Sequence, residues 1–169
     1  LMRLKGRIEC QHCHDTNYQA LFMITIIQRV TSASVTVNGE VVGAIGEGIM
    51  ALVAVEKADT PKEAERLLQR ILNYRIFADS SARMNLSLQD IGGGLLVVPQ
   101  FTLAADTHSG NRPSFTPAAA PDYGRQLFAY LQQLAVQHHP QVAFGEFGAN
   151  MQVTLVNNGP VTFILRCPA

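Results

Sequence analysis

Near the end of the chain the six residues Asn157-Asn158-Gly159-Pro160-Val161-Thr162 interrupt what is otherwise one long apolar strand. On one side Met151 to Val156 alternates apolar and polar residues, and on the other Val161 to Leu165 is β-branched and aromatic. Between them, Gly159 can take backbone angles closed to other residues, while Pro160 lacks an N–H and tolerates a cis peptide at modest cost. Such a break leaves carbonyls unpaired and pointing away from the sheet. From these six residues alone the simplest reading is a hairpin turn; the functional reading is a rigid backbone clamp.

The rest of the chain carries clear signals for strands and helices. Residues 23–30 form an apolar run of strand length, most simply a central strand, with Arg29 as its odd member. A guanidinium there is either a solvated strand end or a fork holding backbone carbonyls or a phosphate. Ser34-Val35-Thr36-Val37 then runs into Asn38-Gly39, the dipeptide of a type I′ turn, predicting a hairpin with residues 40–43. Residues 48–55 read as a buried strand. Thr60-Pro61-Lys62-Glu63 is a capping box with proline at the first helical position, and Ala64, Leu67, Leu68, Ile71 and Leu72 follow at helical spacing. Residues 74–77 return as strand, Asp79-Ser80-Ser81 is a turn, and Gly92-Gly93-Gly94 leads into the strand Leu95-Leu96-Val97-Val98. No lysine follows those glycines, so they form no phosphate loop.

Pro99-Gln100-Phe101-Thr102-Leu103 reads as a continuation of that strand past a proline, with an edge or bulge there and a pocket wall at its end. Residues 104–121 form a long loop of the length that tends to carry function. Asp122 is positioned to cap a second amphipathic helix bearing Tyr123, Leu127, Tyr130, Leu131 and Leu134. His138 and His139 at its end fall on different faces and suit the helix dipole better than a metal.

Composition narrows the function classes. At 169 residues and 47% hydrophobic content the chain suits one domain with one core. Thirteen basic and 13 acidic residues give zero formal charge, so no global field draws in nucleic acid or an anionic membrane. Any polyanion must be gripped locally. Three cysteines make no disulfide framework and no apolar run reaches the length of a membrane span, which fits a reducing, cytoplasmic setting.

Residues 1–22 differ in composition and are expected to be an extension outside the native fold, with Met23 as the natural start. Their Cys10-Gln11-His12-Cys13-His14 matches the pattern of c-type haem attachment or half a zinc site, but it is a short match without a second ligand pair or a signal for export. No metal or other cofactor is expected.

Side-chain chemistry is sparse. No nucleophile elbow or Ser-His-Asp order appears, and Thr102 has no evident base beside it in sequence. What remains is backbone: amides around Gln100 and Phe101, and carbonyls around Gly159 and Pro160. That composition suits oxyanion stabilisation and shape selection.

Pro99-Gln100-Phe101-Thr102-Leu103 and Asn157-Asn158-Gly159-Pro160-Val161-Thr162 closely resemble, in the right order, the paired motifs of the D-aminoacyl-tRNA deacylase family, usually Ser-Gln-Phe-Thr and Asn-x-Gly-Pro-x-Thr. The likeness extends over residues 23–166, including Asn73-Tyr74-Arg75-Ile76-Phe77 and Arg112-Pro113-Ser114-Phe115. It implies an α+β fold, a β-barrel-like mixed sheet with two amphipathic helices, assembled as a homodimer with the active site at the interface. It further implies that a cis Gly159-Pro160 bond reaches into the partner's pocket and excludes an L side chain. Gln100, Phe101 and Thr102 would line the ester, with the Phe101 amide as oxyanion donor, Arg29 supporting the Gly-Pro loop and Met151 contacting substrate. The implied reaction is hydrolysis of D-aminoacyl-tRNA, with glycyl-tRNA also admitted, and the implied partner is the 3′ end of tRNA, without membrane or DNA. Assistance by the tRNA 2′-hydroxyl is favoured over Thr102.

Four positions bear on that likeness. Pro99 replaces the usual serine and matches the related animal-type deacylases, whereas Phe101 and Asn157 argue against that sister group. Asn150 stands where the family generally has aspartate. The competing classes are a tRNA-end or nucleic-acid binding module without turnover, and a redox or metal protein built on the N-terminal cysteines and histidines.

Overall fold

The computed structural model describes residues 22–168, with side chains from Met23 to Cys167. The Cys10–His14 motif lies outside the described residues. The elements in order are β1 (Phe22–Val37), β2 (Glu40–Ile45), β3 (Gly48–Ala54), α1 (Pro61–Asn73), β4 (Phe77–Ala78), β5 (Met84–Leu86), α2 (Leu88–Ile91), β6 (Gly94–Pro99), a 3₁₀ turn (Phe101–Ala104), α3 (Pro121–His138), β7 (Val142–Phe144) and β8 (Gln152–Pro168). Phe22, grouped by composition with the extension, is the first residue of β1 and pairs with Pro168.

The runs at 23–30 and 34–37 are one strand of 16 residues. β1 pairs with β3 through Ile24–Val30 and with β2 through Ala33–Val37, while β8 pairs along its length from Phe22 to Thr36. β2 and β3 therefore share one edge of β1, and β8 takes the other. β3 and β6 run parallel, as do β6 and β7, so the sheet is mixed. It is also nearly closed: at Gly43 of β2 an added Cβ would lie 2.5 Å from the Phe144 carbonyl oxygen of β7, so only glycine allows that approach. The Asn38-Gly39 turn has φ of 51° and 87°, as a type I′ hairpin requires.

The strands in the middle of the sheet bury both faces, which explains their unbroken apolar sequences. Ile49, Ala51, Val53, Leu95 and Val97 face the helices and meet Leu67, Leu68, Ile71 and Leu72 of α1 and Leu127 and Leu131 of α3. Met50, Leu96 and Val98 face the other way, into the barrel, with Val30, Val35, Met151 and Leu155. The capping box forms: the Lys62 N–H donates to the Thr60 hydroxyl and the Thr60 N–H to Glu63. Leu67 is fully buried on the resulting stripe, and its truncation to alanine would cost about 2–5 kcal/mol.

Four local expectations are corrected. Residues 157–162 are not a hairpin turn, because strand pairing with β1 resumes on both sides and β8 is one element. Residues 99–103 do not stay extended: β6 ends at Pro99 and the chain winds into the 3₁₀ turn, with the Leu103 N–H donating to the Gln100 carbonyl. Asp122 does not cap α3. The N-cap is Ala120, Pro121 opens the helix with its preset φ, and Asp122 sits in the first turn, where its charge suits the dipole. The strand expected at 74–77 shrinks to Phe77–Ala78, because Tyr74 ends α1 and packs edge-on against Phe163. His138 does approach the Leu134 carbonyl at the end of α3, whereas His139 is buried with Nε2 2.7 Å from the Gly93 carbonyl.

Candidate active site

The two sequence motifs lie at different places on the molecule. A cavity of about 440 Å³ opens at the end of the barrel interior, lined by Val98, Pro99, Gln100, Phe101, Phe147 and Met151 among others. β6 delivers Val98 and Pro99, and Gln100 follows directly. Because the chain turns from strand into the 3₁₀ turn at Gln100, the N–H groups of Phe101 and Thr102 begin a helix-like turn, where amides have no acceptor within the turn. The Gln100 N–H is spent on the Val53 carbonyl at 2.7 Å, anchoring the turn to β3. Backbone amides at a cavity mouth are the groups that can stabilise a developing oxyanion.

Thr102 is held by Gln100, whose side-chain amide donates to the threonine Oγ1. An amide cannot act as a base, so nothing in this pair activates the hydroxyl. Phe101 is exposed and its ring packs against Phe115, with centroids 5.1 Å apart. The long loop expected at 104–121 thus delivers an aromatic residue to the cavity's edge, and it is folded back on itself by an Asp106–Ser114 bridge. In that bridge the His108 backbone and ring nitrogens hydrogen-bond to Asp106 and hold its carboxyl below the usual range.

Met151 joins the same cavity. The Glu146 N–H donates to its sulfur at 3.3 Å, and that sulfur, Pro99 and Val98 crowd round Gly145 so closely that an added Cβ there would lie 2.8 Å from the sulfur. Phe147, Gly148 and Ala149 of a glycine-rich turn, Ala119 of the loop, Pro121 at the start of α3 and Val153 of β8 complete the lining, and apart from Val153 no periodicity marks them.

Gly159, Pro160 and Arg29 lie elsewhere. The register between β1 and β8 runs Gln28↔Thr162 and resumes at Val30↔Asn157, so the four residues 158–161 bulge opposite Arg29 alone. The Gly159–Pro160 peptide is cis and both residues are exposed. Gly159 has φ of +145°, and an added Cβ would lie 2.6 Å from a Val161 methyl, so glycine is required there. The base of the bulge is tied twice: the Asn157 side chain accepts from the Val161 N–H at 2.7 Å and donates to Thr162 at 2.9 Å. Arg29 donates through Nε to the Asn158 carbonyl and, through Nη1, to the Ile76 carbonyl. Arg29 and Asn158 border a separate cleft with Phe77 and Ile91. Within the chain, then, Gln100, Phe101 and Met151 come together, and Gly159, Pro160 and Arg29 form a second, outward-facing group. Among the described residues no cluster of three or more metal-ligating side chains occurs, and no helix is long and apolar enough to cross a membrane.

Comparison with known proteins covers both motifs in a single match. Residues 26–166 match the family model described as D-Tyr-tRNA(Tyr) deacylase. A Herminiimonas arsenicoxydans protein named D-aminoacyl-tRNA deacylase is 62% identical over 144 residues, covering 85% of this chain and 97% of that protein. A protein of the same name from Thioalkalivibrio sulfidiphilus is 62% identical over 146 residues, covering 86% and 98%. Among solved structures, one described as c-Myc DNA Unwinding Element Binding Protein superposes with a TM-score of 0.81 at 41% identity, covering 87% of this chain and all of that one. One described as a probable eukaryotic D-amino acid tRNA deacylase shares the fold, with a TM-score of 0.74 at 18% identity over 86% of this chain and 99% of that one. Nearly the whole described chain is covered by these matches, and it belongs to the D-Tyr-tRNA(Tyr) deacylase family of enzymes.

Proposed function

We propose that this protein hydrolyses the ester of D-aminoacyl-tRNA, releasing the free D-amino acid and tRNA as a chirality check in cytoplasmic translation. The observation that carries the reading is a cavity lined by Phe101, whose amide opens the 3₁₀ turn, and by no side-chain base, in a chain of this family. Water adds to the ester carbonyl, the oxyanion is met by the Phe101 N–H, and the carbon–oxygen bond to the terminal ribose breaks with a proton passing to the departing 3′-oxygen. The tRNA 2′-hydroxyl, adjacent to that oxygen, is the group that relays the proton, because Thr102 is engaged by an amide and not by a base. The exposed Phe101–Phe115 pair offers a flat apolar surface on which the terminal base can stack.

Chirality is assigned to Gly159 and Pro160 acting across a homodimer. Since both are exposed and outside their own subunit's cavity, a second copy must bring them to the ester. Their carbonyls then face the substrate's α-amino group and leave no room for an L side chain. Glycine, with no side chain, passes the same filter, so glycyl-tRNA is a second substrate. No membrane or DNA takes part.

The test is hydrolysis of D-tyrosyl-tRNA against L-tyrosyl-tRNA, repeated with tRNA ending in 2′-deoxyadenosine. Release of the D-amino acid alone, lost with the deoxy end, is the expected result. Cleavage of both enantiomers at equal rates would sink the clamp. Retention of tRNA with no cleavage would favour the binding module suggested by the name of the 41%-identical structure, a role that the chain's zero net charge disfavours.

A further inference from the structure

Phe147 separates two cavities. With Pro99, Gln100 and Met151 it lines the site, and on its other side it bounds a second cavity of about 370 Å³ shared with Val42, Phe128 and Glu146. The width of both therefore depends on where this one ring stands. Phe147 lies between β7 and β8, in a turn closed by a 3.3 Å hydrogen bond from the Ala149 N–H to the Glu146 carbonyl, and not in the sheet ladder. Something outside the sheet has to hold it.

That support comes from α3. The Arg125 guanidinium carbon lies 5.0 Å from the centre of the Phe147 ring, and its Nη1 donates to the Phe147 carbonyl at 3.4 Å. Phe128, one turn further along the helix, packs its ring 6.1 Å from that of Phe147. At Gly124 the helix backbone comes so close that an added Cβ would lie 3.3 Å from the ring's Cζ. Gly124 and Phe128 are buried and fix the depth of the ring, while Arg125 is exposed and covers its face.

We propose that Arg125 is a positioning residue for the deacylation site, holding the ring and carbonyl of Phe147 so that the cavity wall stands at the right distance from Gln100 and Met151. The inference rests on reading that cavity as the seat of the aminoacyl ester. Attraction of a cation to a ring face, combined with guanidinium stacking, suits arginine better than lysine here. A wall that contacts substrate before and during the reaction alters ground state and transition state alike. Its displacement therefore appears in KM and leaves kcat in place.

The experiment is a kinetic cycle on D-tyrosyl-tRNA with the parent enzyme, Arg125→Ala, Arg125→Lys, Phe147→Leu and Arg125→Ala/Phe147→Leu. Arg125→Ala is expected to raise KM about threefold with kcat unchanged, the size of one solvent-facing cation–ring contact. Arg125→Lys should recover about half of that loss. In the Phe147→Leu background, which keeps apolar packing and the backbone carbonyl but removes the ring, Arg125→Ala should have a clearly smaller effect. An unchanged KM in Arg125→Ala overturns the inference, and so does an equal rise in the Phe147→Leu background, which would mean that Arg125 acts on the tRNA directly as a charge. An inactive parent enzyme would overturn the proposed function and this inference with it, whereas an active parent with an insensitive KM overturns the inference alone.

Discussion

Arg29 Nε lies 2.9 Å from the carbonyl oxygen of Asn158, while the same guanidinium reaches the Ile76 carbonyl at 2.7 Å. One fork thus ties the bulge in β8 to β1 and to the segment after α1. Arg29→Ala removes two charge-assisted hydrogen bonds and should cost about 1–3 kcal/mol of stability by urea unfolding. On the proposed function it should also lower the preference for D- over L-tyrosyl-tRNA about tenfold, since Asn158 precedes Gly159 directly. Arg29→Lys should recover little, because an ammonium cannot span both carbonyls. Undiminished enantiomer preference in Arg29→Ala would separate Arg29 from chirality.

Thr102 offers a sharper kinetic test. Its Oγ1 accepts from the Gln100 amide, so on the proposed function Thr102→Ala removes a hydrogen bond and no nucleophile. We expect kcat within about tenfold of the parent, far from the loss of several orders of magnitude that removal of a catalytic nucleophile produces. A fall of that larger size in single-turnover assays would make Thr102 the nucleophile.

Asp59 predicts a pH dependence. It is 1% exposed, and burial pushes its carboxyl up to about 7. The Glu56 N–H at 2.7 Å from Oδ2 pulls the other way, the carboxylates of Glu56 and Glu63 add to the rise, and Oδ1 has no hydrogen-bond partner among the described residues. Between the ordinary value of 3.8 and about 7 the native state keeps a proton that the unfolded chain has released. The contribution of Asp59 is therefore fully present below that interval and lost as pH rises through it. Hydrogen bonds from Asn85, Ser87 and His108 hold Asp79, Asp90 and Asp106 low, and those groups act in the opposite sense at more acid pH. Comparing the parent with Asp59→Asn isolates the one residue. The parent should lose stability relative to the variant by about 1.4 kcal/mol for each unit by which the native pKa is raised, with no change above pH 8. A pH-independent difference in unfolding free energy would refute it.

Pro99→Ser restores the residue that the family usually carries and should change little. β6 pairs with β7 only through Leu95–Val97, so the N–H that proline lacks falls beyond that ladder, and the anchoring Gln100 N–H still reaches Val53. Stability within about 0.5 kcal/mol and kcat/KM within about threefold are expected. A large gain in kcat would show that the serine hydroxyl matters to the chemistry.

What was legible in the chain follows the range of the interactions concerned. Thr60 and Glu63 satisfy each other's backbone across three residues, and Asn38-Gly39 sets its own turn, so α1 and the first hairpin could be read locally. The same logic at Ser87 and Asp90 builds α2, yet that helix is one turn long and ends at Gly92, and its capping box was passed over. The bulge at Gly159 and Pro160 was beyond local reading, because what makes it a bulge and not a turn is renewed pairing with β1, more than 120 positions earlier in the chain. Likewise Gln100 and Phe101 stand out as a pocket wall at a strand's end, whereas Phe147, Ala119 and Pro121 reach the cavity only through tertiary packing.

The bulge has a further arithmetic property. From Gln28 to Val30 β1 advances two positions while β8 advances five, and from Val30 to Ser32 β1 again advances two while β8 advances one. The net excess in β8 is two residues, an even number, so the alternation of its side chains comes out in phase. Leu155 shares the barrel-facing cluster with its partner Ala33, and Cys167 shares the helix-facing cluster with its partner Met23, so β8 stays matched to β1 on both sides of the bulge. Because a sheet reads side chains with a period of two, this loop is an in-frame insert: a pair of residues could be excised and the strand would still point every remaining side chain correctly, whereas removing one would turn half of β8 inside out.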